Sequence, residues 1–200
     1  LFDPYVFTSS EVYCNVDSTI TVTQEVEIVA SNLGHYVTIS GHQSGYTPGM
    51  IYPIFTVSGS SADLTVDGIL MRDVNDSLFK VSNGATLNLQ NSYFTENGRD
   101  HAHEGGVVRA VGSTINVTNC DFYLNGTIGA KQSGDGGAIY AAEGSVLTVT
   151  GGHVTETAGK NGGAFAVEGS VGVIKDVEFY RNEAERGGAL YCLNAQPGTL

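Results

Sequence analysis

The sequence predicts an all-β protein: a parallel β-solenoid of about seven coils, each of roughly 25 residues, stacked along one axis. Three observations predict it. Four Gly-Gly pairs, Gly105-Gly106, Gly136-Gly137, Gly162-Gly163 and Gly187-Gly188, recur at spacings of 31, 26 and 25 residues. Around them apolar residues alternate with period two, which marks half-buried strands and not helices. Composition agrees. There are 27 Gly and 4 Pro in 200 residues, with 41% hydrophobic and 15% charged, too apolar for a disordered chain and without the glycine period of collagen.

Residues 1–53 read as irregular lead-in coils. STITVTQEVEIVAS (18–31) alternates Ile20/Val22 and then Val26/Ile28, and HYVTISG (35–41) continues with Val37/Ile39. HQSGYTPGMIYP (42–53) is a loop by its Gly and Pro content. Residues 54–200 read as regular coils of the same continuous domain. In each, a first short strand points Phe55/Val57, Phe79/Val81, Val108/Ala110, Ile139/Ala141, Phe165/Val167 or Leu190/Cys192 inward. The opposite face receives Thr56, Lys80, Arg109, Tyr140, Ala166 and Tyr191. After a small Gly-containing turn, a second strand points Leu64/Val66, Leu87/Leu89, Ile115/Val117, Leu147/Val149 or Gly172/Ile174 inward. Five residues further on comes Met71, Phe94, Phe122, Val154 or Phe179. One coil has no inside to bury. Coils stacked at ~4.8 Å give each inward residue a like neighbour above and below.

Two motifs go beyond alternation. One is Phe-x-x-Asn, at Phe94–Asn97, Phe122–Asn125 and Phe179–Asn182, decaying to Val154-Thr-Glu-Thr157 in one copy. The other is Gly-Gly-Ala-apolar, at Gly136–Ile139, Gly162–Phe165 and Gly187–Leu190, with Gly105–Val108 as a looser copy. Stacked Phe rings fill an interior. A turn Asn bridges to the backbone of adjacent coils and tolerates left-handed angles, and repeated once per coil it makes an amide ladder. The Gly pair permits positive φ and close approach of coils. These interleaved motifs resemble the repeats of the polymorphic outer membrane protein family, with FYRNEAERGGALY (179–191) nearest to the pattern. The resemblance implies a right-handed, single-stranded parallel β-helix of the pectate-lyase-like superfamily, exported to the cell surface and in several members adhesive.

Candidate chemistry is sparse. A polysaccharide-cleaving site needs converging carboxylates, and the outward strand columns stack none. Asp73 and Asp76 form the nearest pair and read as a solvated turn. Asp100, His101, His103 and Glu104 are the densest ligand-type cluster, and His101 and His103 would chelate a metal only with a third ligand from a neighbouring coil; the cluster reads as an exposed turn, with no cofactor. Lys80 and Arg109, with Tyr140 and Tyr191 further along, make a stripe that could meet a glycan or read as ordinary sheet surface. Cys192 reads as a buried apolar filler, and a Cys14–Cys120 bridge is not expected. Asn75, Asn116 and Asn125 head Asn-x-Ser/Thr sequons, Asn75 being the expected accessible one.

With 9 Lys and Arg against 21 Asp and Glu, a net charge of −12 disfavours nucleic-acid binding. No apolar run approaches the ~18 residues of a membrane span. Both ends read as cut from a longer chain, with aggregation-prone open coils. The expectation is a non-catalytic, extracellular or cell-surface segment, stalk-like or adhesive, whose partner is a host or cell-surface receptor or glycan. The competing expectation is a fragment of a carbohydrate-active enzyme with its site in turns or in further coils.

Overall fold

The computed structural model describes residues 12–16, 18–30, 37–41, 51–98, 104–126 and 134–196. Among them every regular element is a strand. β1 (Val12–Asn15) precedes a coil of β2 (Ile20–Val22), β3 (Glu25–Val29) and β4 (Val37–Ser40). The next two coils are β5 (Phe55–Ser58), β6 (Asp63–Asp67) and β7 (Ile69–Arg72), then β8 (Phe79–Ser82), β9 (Thr86–Gln90) and β10 (Tyr93–Thr95). In the following coil β11 (Val108–Val111) leads into one long strand, β12 (Thr114–Tyr123). β13 (Ile139–Ala142), β14 (Val146–Thr155) and β15 (Ala158–Asn161) form the next. The last comprises β16 (Phe165–Glu168), β17 (Val171–Lys175), β18 (Glu178–Tyr180) and β19 (Glu183–Arg186), and β20 (Leu190–Leu193) stacks beyond it.

All ladders are parallel and join successive coils. One seven-stranded sheet runs β2-β5-β8-β11-β13-β16-β20, and an eleven-stranded sheet carries the second and third strands of the coils. A small sheet pairs β15 with β19, a fourth side that alternation does not signal. The chain makes about five turns. This corrects the expected seven, which equals the strands of the one sheet that also counts incomplete coils.

The inward columns stand where alternation puts them. Phe55, Phe79, Val108, Ile139, Phe165 and Leu190 are in register. So are Met71, Phe94, Phe122, Val154 and Phe179. Across the interior the two columns share one aromatic spine: Phe55, Phe79, Phe94, Phe122, Phe165 and Phe179 follow each other at ring-centroid distances of 5.2–6.2 Å. Stacked and edge-on pairs alternate along part of it, the geometries aromatic quadrupoles favour.

The corners are built from left-handed residues, singly or in adjacent pairs such as Asn83-Gly84, Glu143-Gly144 and Gly151-Gly152. After the first strand these are Gly59, Asn83, Gly112, Glu143, Gly169 and Asn194; after the second, Gly68, Asn91, Asn119, Gly151 and Asp176; after the third, Asp73, Glu96, Leu124, Glu156 and Arg181. Every non-glycine residue with positive φ among the described residues lies in one of these columns. In the third column the left-handed angle falls on the residue before the motif Asn, not on the Asn, which corrects the sequence expectation. A non-glycine residue held there costs about 1–2 kcal/mol, so the stacking must over-determine it.

The two glycines of each pair divide the work. The first has φ of +60° to +78°, and a Cβ on it would sit about 2 Å from the carbonyl oxygen three residues on in its own coil. The second meets the following coil: a Cβ on Gly106, Gly137 or Gly163 would lie 2.5, 2.1 or 2.4 Å from the carbonyl oxygen of Gly137, Gly163 or Gly188. Gly188, the last, would meet nothing within 4 Å.

Burial follows the same logic. Val167 is buried, yet Cys192, its register partner one layer on, is exposed. The expected buried filler is therefore a surface thiol, because no described coil roofs it. Cys14 is likewise exposed, although it is paired with Ile39 of the third-strand column. All three cysteines are free, and burial pushes the Cys120 thiol up to about 12.

Phe122→Ala should lower the unfolding free energy in urea by ~3–5 kcal/mol, and Phe179→Ala visibly less, since Phe179 is only half-buried. Gly137→Ala should cost ~3 kcal/mol or more. Gly144→Ala, whose Cβ enters open space at φ +80°, should cost only the ~1 kcal/mol of a left-handed alanine. Thermal melts of the pair would separate close approach from backbone preference.

Candidate functional site

The Phe-x-x-Asn side chains form a clamp between coils. Asn97 Nδ2 donates to Met71 O at 3.2 Å, Asn125 Nδ2 to Phe94 O at 2.8 Å, and Asn182 Nδ2 to Val154 O at 2.8 Å. Each amide thus reaches the carbonyl of the aromatic-column residue one coil back. In return, Asn125 Oδ1 accepts from Asn97 N–H at 3.1 Å, and Asn182 Oδ1 accepts from Thr157 N–H and its hydroxyl at 3.0 and 2.7 Å. Asn97 and Asn125 are fully buried. Asn97 Oδ1 has no hydrogen-bond partner, and the residue at the equivalent place one coil back is Val74.

The outward face of the seven-stranded sheet, with the segments leading into it, carries a group of ionisable side chains. Lys80 pairs with Asp76 at 2.7 Å and Arg109 with Glu104 at 2.7 Å, so the cationic stripe is neutralised side chain by side chain. Next to Arg109, Tyr140 donates its hydroxyl to Glu168 at 3.0 Å. Glu104 and Asp135 are bridged backbone to backbone, and Asn161 donates its N–H and Nδ2 to Asp135 Oδ1 at 3.2 and 2.9 Å. Burial, with the neighbouring carboxylates of Asp135 and Glu104, holds the Glu168 carboxyl above the usual range, against the pull of the Tyr140 hydroxyl. Burial and that same hydrogen bond push the Tyr140 hydroxyl up as well. A carboxyl raised above its usual range beside two further carboxylates is the kind of arrangement from which acid catalysis can be built.

Strand alternation does not find this cluster, because Glu104 and Asp135 lie outside the main strands, on an isolated β-bridge. The signal that would have found them is the residue immediately before each Gly pair: Glu104, Asp135, Asn161 and Arg186. Asp73 and Asp76 are each bonded to other partners. Asp73 accepts from Arg72 Nε at 2.6 Å and from the Ser40 hydroxyl at 3.2 Å, while Asp76 caps the Ser77 N–H and holds Lys80. His101 and His103 lie outside the described residues. Among the described residues no group of three or more His, Cys, Asp or Glu is arranged to hold a metal ion.

The sequon asparagines are engaged. Asn75 is only 8% exposed, which corrects its expected accessibility. Asn116 Nδ2 donates to Asn88 Oδ1 at 2.9 Å, and Asn88 Nδ2 in turn to Asp63 and Thr65 at 2.8 and 3.2 Å, a second amide ladder on the outer face. Asn125 belongs to the buried clamp.

Because the folded Glu168 carboxyl is raised above its unfolded value of about 4.3, its contribution to stability is full below that value and is lost as pH rises through the folded one. Glu168→Gln should flatten this fall in a titration of Tm against pH; an unchanged slope would contradict the assignment. No protein-family model, no curated protein and no solved structure matches the chain.

Proposed function

We propose that this chain is a non-catalytic segment of a secreted or cell-surface β-helix protein, serving as a stalk or an adhesive surface, and that its repeats are of the polymorphic outer membrane protein kind. The observation that carries the reading is where the polar side chains spend their hydrogen bonds. Asn88, Asn116 and Asn125 bond from one coil to the next. Arg72 reaches Glu96 one coil on, and Tyr140 reaches Glu168 one coil on. Such bonds stiffen a rod and hold its outer sheet as a fixed, repetitive surface. Between Thr65 and Thr148 that surface is an uncharged column through Asn88 and Asn116, suited to a receptor or glycan reached by hydrogen bonds. The right-handed, pectate-lyase-like ancestry belongs to this reading.

A second reading, a carbohydrate-active fragment, is favoured by one feature: the raised Glu168 carboxyl beside Asp135 and Glu104. A single experiment separates the two. The labelled protein is presented to host-type cells and a glycan array, and is incubated with acidic polysaccharides while reducing ends are followed. Binding without turnover supports the stalk or adhesin. Turnover that Glu168→Gln abolishes would replace it with the enzyme.

A further inference from the structure

Four Asn-Gly dipeptides occur in the chain, at Asn83-Gly84, Asn97-Gly98, Asn125-Gly126 and Asn161-Gly162. In such a pair the glycine backbone nitrogen, deprotonated by hydroxide, can attack the Asn side-chain carbonyl carbon. The new C–N bond closes a five-membered imide, the bond to the amide nitrogen breaks, and ammonia leaves. Water then opens the ring to Asp or isoaspartate. The glycine favours this because no side chain hinders the approach.

The fold treats the four sites unequally. Each glycine N–H is donated to a neighbouring coil: Gly84 to Gly112 O at 2.8 Å, Gly98 to Val74 O at 2.6 Å, Gly126 to Asn97 O at 2.8 Å and Gly162 to Arg186 O at 2.9 Å. At Asn97 and Asn125 the side chain is also fully buried, with its amide tied to a carbonyl one coil back. Asn161 is half-buried, its amide held by Asp135. Asn83 is exposed at a corner, and its amide reaches only the side chains of Ser58 and Ser82. Water reaches the Asn83 side chain with the coils stacked, and only the Gly84 N–H bond to Gly112 O has to part for the nitrogen to be deprotonated.

We infer that Asn83 is a site of spontaneous deamidation in the folded protein, and that stacking withholds the same reaction from Asn97 and Asn125, where it records that coils have opened. The mark is permanent. A carboxylate in place of the Asn125 amide has no hydrogen to donate to Phe94 O, and it would stand charged in a dry interior. A chain converted there cannot restack as before.

The whole chain is aged at mildly alkaline pH, folded in buffer and unfolded in urea, and isoaspartate is mapped by peptide mass spectrometry. In urea the four sites should convert at comparable rates. In the folded protein Asn83 should convert first, Asn161 later, and Asn97 and Asn125 on the order of 100-fold slower than in urea, because conversion there awaits local opening. Asn83→Ser should abolish the early folded-state signal. Conversion of Asn97 or Asn125 in the folded protein at the urea rate, or ahead of Asn83, would overturn the inference.

Discussion

The central inward side chains of this solenoid owe their burial to the layers directly above and below them. Phe165 and Phe179 belong to neighbouring parts of one aromatic spine at 5.5 Å, yet the first is fully buried and the second is not. Leu190 lies over Phe165, and no described strand lies over Phe179. At the other end of the seven-stranded sheet Ile20 and Val22 have one described strand against them, and Ile20 is 44% exposed although Val22 is buried. Apolar burial is worth about 25 cal/mol per Å², so each added coil contributes chiefly through the interface it completes. A single coil contributes almost nothing.

That constraint explains the corners. Among the described residues eleven non-glycine residues hold left-handed backbone angles; six are Asn or Asp, which tolerate them, and the strain falls on Glu96, Leu124, Glu143, Glu156 and Arg181. The clamp Asn beside the third corner supplies what is needed, because it binds one coil's carbonyl and the same coil's N–H at once. The glycine pair answers the opposite demand. There the neighbouring carbonyl comes so close that no Cβ fits, and the sequence yields space instead of bonds. Clamp and gap together fix the register that the two large sheets propagate.

Much of this was legible in the residues. Alternation placed Met71, Phe94, Phe122, Val154 and Phe179 in one column, and it separated Lys80, Arg109 and Tyr140 onto the outer face, because a strand's two-residue period survives without tertiary context. It did not reveal that two aromatic columns merge into one spine, since their approach depends on how the walls fold toward each other. The left-handed angles of Glu96, Leu124 and Arg181 were also hidden: nothing in Glu, Leu or Arg advertises them, and only stacking imposes them. The carboxyl cluster escaped for a related reason. Glu104 and Asp135 stand ahead of the Gly pairs on an isolated bridge, where the sequence spacing between coils is not constant. Cys192 points inward yet is exposed, because inward direction secures burial only where a described coil lies on both sides or the wall curves over it.

Hydrogen exchange followed by mass spectrometry tests the roofing account most directly. If burial is conferred layer by layer, amides of 79–95 and 108–123 should exchange last, and protection should decline outward through 165–180 to 190–193, and through 55–67 to 20–29. Equal protection of the outermost and central coils would contradict it, since each coil would then carry its own stability.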